Sequence, residues 1–195
     1  MCCRYYYDEK MAREIEKICK NIDRKLRMAA REVCPSEKAP IIIGRKGKLL
    51  LEEMQWGFPQ QDKKGLLINA RSEGIGEKKT FSESVRRRRC VIPASGYFEW
   101  DARKNKVSFN RTDNKPIYIA GVYNMIDNAE RFVVITTAAN ESVSNVHDRM
   151  PLILEEDEID KWIYDDKETE FLLNKKSPKL EQCREYEQQT LQMFL

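Results

Sequence analysis

The spacing of apolar and polar positions changes along the chain, and each change marks an element. From 8 to 31, DEKMAREIEKICKNIDRKLRMAAR places Met11, Ile15, Ile18, Ile22 and Leu26 at steps of three and four. That spacing lines one face of an α-helix, so it predicts one amphipathic helix with Asp8 as its N-cap. Pro35 and Pro40 are expected to end it and begin a loop. The next stretch, APIIIGRKGKLLLEEMQWGFP, reads as strand, glycine turn, strand, with Gly44 and Gly47 near the turn. GLLINARSEG is a short apolar run feeding a polar loop. TFSESVRRRR predicts a short helix capped by Thr80 or Ser82. The long segment CVIPASGYFEWDARKNKVSFNRTDNKPIYIAGVYNMI predicts several strands, with turns at Ser95-Gly96, Lys104-Asn105 and Asp113-Asn114. ERFVVITTAAN adds another strand. After Pro151, LILEEDEIDKWIYDD holds a short strand and then a helix, and KETEFLLNKK another helical turn or two. Strands outnumber helices without regular βαβ alternation, so the fold class is α+β. No repeat, low-complexity segment or linker interrupts the chain, which predicts a single domain over 1–195.

Composition narrows the class. The 195 residues can bury a real core. Apolar residues are 41% and charged residues 34%, as in a soluble globular protein on the polar side. No window of about 18 apolar residues occurs, so no membrane span is expected. The start of the chain lacks a charged-then-apolar leader pattern, which predicts a cytoplasmic protein. Thiols there stay reduced, so the six cysteines (2, 3, 19, 34, 90 and 183) are not expected to form a disulfide framework. No CxxC pair occurs, which argues against structural zinc; no metal or cofactor is expected. The net charge of +3 is too small to name a nucleic-acid partner by itself. Residues 86–89 are four consecutive arginines, and the C-terminal region is acidic. That distribution suits a local anion-binding face or an ordinary solvated surface.

Five short stretches carry candidate chemistry. Cys2 follows Met1, and aminopeptidases remove Met1 when residue 2 is small. Removal leaves a thiol and a free α-amine on one carbon skeleton. Their reference pKa values, about 8.5 and about 7.7–8.0, leave both partly deprotonated near neutrality. Such an aminothiol condenses with an aldehyde to an imine, and the thiol then closes a thiazolidine ring. Cys3 has no free amine and cannot do this. The alternative is that both cysteines pack as small apolar residues. The single histidine, His147, stands in NVHDRMPLIL, where it could shuttle a proton while Arg149 held a phosphate. INARSEG sets Asn69 and Arg71 at alternating positions, on one side of an extended chain. PASGYFEW sets Glu99 between Phe98 and Trp100; a carboxylate in apolar surroundings titrates high and can serve as acid or base. MQWGFP offers Trp56 and Phe58, which could stack on bases or simply join the core.

Taken in order, MCCRYY, WGFP, INARSE, RRRRCVIPASGYFEW, KPIYIAGVY, FVVITTAAN and VHDRMPLIL resemble the SRAP family, the SOS-response-associated peptidase-like proteins. The resemblance spans residues 1 to about 155. It implies a barrel-like, mixed or antiparallel β core with peripheral helices. It also implies a role in DNA repair: binding of single-stranded DNA and single-strand/double-strand junctions that carry abasic sites, by a monomer that joins the nucleoid when DNA is damaged. The abasic aldehyde would be captured as a thiazolidine crosslink, with self-processing at the N-terminus and a lyase-like or crosslink-reversing activity. On this resemblance Cys2 is the crosslinking nucleophile. Asn69 orients the amine and the sugar, Glu99 is the acid/base for imine chemistry, and His147 handles the sugar hydroxyl during ring opening. Arg4, Arg71 and Arg149 match arginines near the DNA backbone, and Trp56 and Phe58 match an aromatic wedge beside the lesion. Cys3 departs from the family's usual glycine. The rival class is a thiol peptidase or hydrolase that pairs Cys2 or Cys3 with His147. A DNA-binding module without chemistry would leave Glu99 and His147 unexplained.

Overall fold

The computed structural model describes residues 2–19, 30–60 and 64–184. In chain order the elements are β1 (Arg4–Tyr7), α1 (Glu9–Ile18), β2 (Arg31–Val33), β3 (Lys38–Arg45), β4 (Lys48–Trp56), β5 (Phe58–Pro59), β6 (Leu66–Leu67) and β7 (Asn69–Arg71). Then come α2 (Ser82–Arg87), β8 (Arg89–Ala94), β9 (Gly96–Trp100), β10 (Lys106–Arg111), β11 (Ile117–Ile126) and β12 (Ala129–Ala138). The chain continues with β13 (Arg149–Pro151), β14 (Ile153–Leu154), α3 (Ile159–Tyr164), α4 (Thr169–Leu173) and β15 (Leu180–Arg184).

Five strands close on themselves in the order β12-β4-β3-β8-β11, with β11 paired back to β12. The β4–β12 pair is parallel and the others are antiparallel, so the barrel is mixed. Closure leaves these strands without a free edge. Ile41, Ile42 and Ile43 on β3 are all fully buried. A continuous apolar run of that kind belongs to a strand covered on both faces; here α3 packs outside it. The β3–β4 hairpin turns at Lys46 (φ 51°) and Gly47 (φ 70°). Two successive left-handed residues match the right-handed twist of the flanking strands.

A second sheet, β15-β10-β9-β1-β2, lies beside the barrel. Ser95 joins it to the barrel: its amide donates to the Tyr6 carbonyl and its hydroxyl accepts from the Asp8 amide. The sheet also demands a glycine at position 96. A Cβ there would sit 2.7 Å from the main-chain oxygen of Phe109.

The α+β class and the barrel-like core agree with the expectation, and Asp8 caps α1 by accepting from Met11 N at 2.9 Å. Other expectations are corrected. The helix does not run to 31: Cys19 is already extended, and residue 31 begins β2; Ile22 and Leu26 lie outside the described residues. Pro40 sits inside β3 rather than in a loop. It is tolerated because β8 pairs with β3 only at Ile42 and Ile43, so nothing asks Pro40 for an N–H on that side. The N-cap of α2 is Phe81, with no side-chain cap, so neither Thr80 nor Ser82 has that role.

Candidate functional site

Four separate pieces of chain meet at the leading end of β1. Antiparallel pairing of β1 with β9 sets Arg4 opposite Phe98 and Tyr5 opposite Tyr97, which brings the residues ahead of β1 alongside Glu99. Asn69 opens β7, whose parallel register on β12 pairs Asn69 with Val134. From there its side-chain amide donates to the Cys2 carbonyl at 2.8 Å. His147 lies in the loop that precedes β13, two residues ahead of Arg149, and β13 is itself anchored on β12 through Ala138 and Arg149. The shared support of β12 is what draws the asparagine and the histidine to one place.

Cys2 and Glu99 are closed off from solvent, at 0% and 2% exposure. Burial pushes the Cys2 thiol well above its ordinary range, and the Glu99 carboxylate adds to the shift. The Cys3 thiol rises for the same two reasons. Burial also raises the carboxyl of Glu99, while the charge of His147 and a main-chain bond from Trp100 pull it back down. A peptidase thiolate needs a lowered pKa; here the surroundings act in the opposite direction. His147 Nδ1 lies 3.0 Å from the Arg149 amide and 2.8 Å from Asp148 Oδ1. The amide can only donate, so on a neutral ring Nδ1 is the acceptor and the proton is on Nε2. Asp148 competes with the amide: a ring with its proton on Nδ1, neutral or protonated, would donate to that mostly exposed carboxylate instead.

The other expected site residues divide. Arg71 is exposed. Arg4 is half-buried, paired with Glu32 at 3.1 Å and set over the Trp100 ring. Arg149 is 12% exposed and gripped by Glu73. Trp56 and Phe58 are not an exposed wedge: they are 0% and 1% exposed. Trp56 stacks on Phe132, tilts against Tyr5, and donates Nε1–H to the Ile68 carbonyl at 2.9 Å. That satisfied indole is part of the core. The arginine run divides as well. Arg86 and Arg87 are exposed, and Arg88 pairs with Glu83. Arg89 is buried and bonds carbonyls of Val85, Arg86, Trp162 and Ile163, tying the ends of α2 and α3 together.

Three residues were missed. Glu73 stands inside the INARSEG stretch, so its position was visible while its partner was not. Tyr5 and Tyr97 face each other on the inward side of β1 and β9, and both hydroxyls are buried without a hydrogen-bond partner among the described residues. No local pattern distinguishes them from core tyrosines.

A closed mixed barrel with a flanking sheet, whose strand β1 gathers a cysteine, an asparagine, a carboxylate and a histidine at its leading end, defines a class of barrel proteins organised about the start of the chain. The chain belongs to the SRAP family: the sequence profile described as SOS response associated peptidase (SRAP) matches residues 1–193. It is 31% identical over 139 residues to the abasic site processing protein YedK of Escherichia coli (strain K12), covering 67% of this chain and 63% of that one. It is 30% identical over 145 residues to the abasic site processing protein YoaM of Bacillus subtilis (strain 168), covering 67% and 64%. The matched region thus spans under two thirds of those relatives. Among solved structures, a phage-related protein of Bordetella bronchiseptica superposes with a TM-score of 0.78 at 20% identity, covering 94% of this chain and 93% of that one. A second Bordetella bronchiseptica protein gives 0.77 at 20% identity, covering 94% and 99%. No helix among the described residues is long and apolar enough to cross a membrane.

Proposed function

We propose that this protein processes abasic sites in DNA by covalent capture through Cys2 once Met1 has been removed. The observation that carries the reading is the junction of Asn69 with the Cys2 main chain beside the buried carboxyl of Glu99. The names of the relatives, abasic site processing proteins, agree with it. Single-stranded DNA and strand junctions are the substrates the reading expects.

The chemistry follows from the proton states. The ring-opened abasic sugar is an aldehyde. The Cys2 amine adds to it, and the carbinolamine loses water to give an imine. Cys2 Sγ then adds to the imine carbon while the thiol proton goes to nitrogen. One C–N and one C–S bond form in all, and one water leaves. Because burial holds the thiol protonated, the amine acts first and sulfur closes the ring second. Glu99, with its raised pKa, is suited to give a proton to the departing hydroxyl and take it back on reversal. His147, presenting Nε2–H, is suited to the sugar oxygen during ring opening.

The test is a denaturing gel after incubation of the Met1-processed protein with an oligonucleotide carrying one abasic site. Wild type and Cys3→Ala are expected to give a shifted band and Cys2→Ala none. A band that survives Cys2→Ala, or that forms stably on protein still carrying Met1, refutes the mechanism.

A further inference from the structure

We infer that Glu73 is a positioning residue of the site: it clamps Arg149 so that the Arg149 main-chain amide holds the His147 ring. The inference rests on the function proposed above. It gives Arg149 a different job from the phosphate contact expected of it.

The geometry is specific. Glu73 meets the guanidinium as a fork, Oε1 to Nη1 at 2.7 Å and Oε2 to Nη2 at 2.8 Å. Nη2 also donates to the Thr136 carbonyl at 2.6 Å. Thr136 is fully buried, and the Arg149 side chain is only 12% exposed. Planar, bidentate pairing is the strongest form of this contact and fixes orientation as well as distance. An arginine so engaged has both terminal nitrogens committed within the protein.

Position explains what the clamp does. On β12, Thr136 pairs with Arg71 of β7 on one side and with Pro151 of β13 on the other. Glu73 lies just beyond β7, and Arg149 opens β13. The ion pair therefore bolts the strand that carries Asn69 to the strand that follows His147. The Arg149 amide is the group that donates to His147 Nδ1 at 3.0 Å. Fixing Arg149 fixes that amide, and the amide favours the tautomer with its proton on Nε2 over the Nδ1–H form that Asp148, 2.8 Å from Nδ1, would accept from. A shift of about 1 Å in such a group is enough to cost large factors in rate.

His147 is the only histidine in the sequence, so its ring nitrogens give unambiguous NMR signals. Nitrogen-15 shifts of the neutral ring, recorded at alkaline pH, report the tautomer without any DNA. Wild type is expected to show Nδ1 bare and Nε2 protonated, and Glu73→Gln a mixture of both tautomers. Binding to a strand carrying an unreactive tetrahydrofuran site should stay within about twofold of wild type, with an unchanged salt slope. The single-turnover crosslinking rate at saturating DNA should fall about 10-fold or more. Should any variant fold poorly, the charge swap Glu73→Arg with Arg149→Glu is expected to restore the thermal midpoint of wild type. An unchanged tautomer in both Glu73→Gln and Glu73→Ala overturns the inference. So does tighter binding with a salt slope steeper by about one phosphate contact, which would show Glu73 merely occupying the place of a phosphate. If wild type itself does not crosslink, the proposed function fails, and the tautomer signal still decides the clamp.

Discussion

Replacing Glu99 with glutamine keeps the shape of the side chain and removes its charge. Glu99 is 2% exposed, and burial is the main cause of its raised pKa. The folded state therefore holds this proton more tightly than the unfolded chain does. The stability linked to Glu99 is complete below the unfolded pKa, about 4.3, and is lost as pH rises through the higher folded value. At neutral pH the wild type bears the cost of an ionised, desolvated carboxylate that glutamine does not. Each unit of elevation corresponds to about 1.4 kcal/mol. For a domain of this size that is roughly 3–5 °C in the thermal midpoint. Glu99→Gln should consequently melt above wild type near pH 8, with the gap closing toward pH 4. Its crosslinking rate should fall by about 10²-fold or more, the usual worth of a general acid–base group. Melts followed by circular dichroism across that range, with single-turnover gels beside them, make the measurement. A gap that does not change with pH, or a variant that melts below wild type near pH 8, would refute the claim that burial dominates this carboxyl.

Two further outcomes are expected. Trp56→Phe should cost about 1 kcal/mol or somewhat more in urea titrations, through the lost bond to the Ile68 carbonyl and reduced packing, while DNA affinity stays unchanged; weaker DNA binding at unchanged stability would restore the wedge. Arg71→Ala should lower the salt slope of DNA binding by about one phosphate contact, because Arg71 is exposed beside the site; an unchanged slope removes it from the DNA interface.

What the chain reveals by pattern is what local physics decides. The β3–β4 hairpin was legible because two apolar runs flank a glycine-bearing turn, and Gly47 does sit in that turn while Gly44 falls within β3. Barrel closure was not, because it depends on the parallel meeting of Trp56 with Phe132, residues far apart in sequence. The first helix was drawn too long because a three-and-four spacing carries no mark of where the chain turns extended, as it does at Cys19 and again in β2 from Arg31. Trp56 and Phe58 invite a binding role beside a glycine, yet an aromatic carries no local mark of which way it faces.

The site follows the same division. Residue types suited to aldehyde capture stand out in short stretches, and Asn69 does reach Cys2. The stretches INARSE and VHDRMP, however, look independent on paper. Their union through Glu73 and Arg149 exists only because β7 and β13 dock on the same end of β12. That placement gives the chemistry its logic. Cys2 and Glu99 lie buried, where their protons are held, and Arg149, beside His147, is fastened from outside by Glu73. On the proposed mechanism such a site would keep its thiol quiet until an imine formed beside it. Loosening the external fastening should therefore disturb the order of proton transfers before it disturbs the grip on DNA.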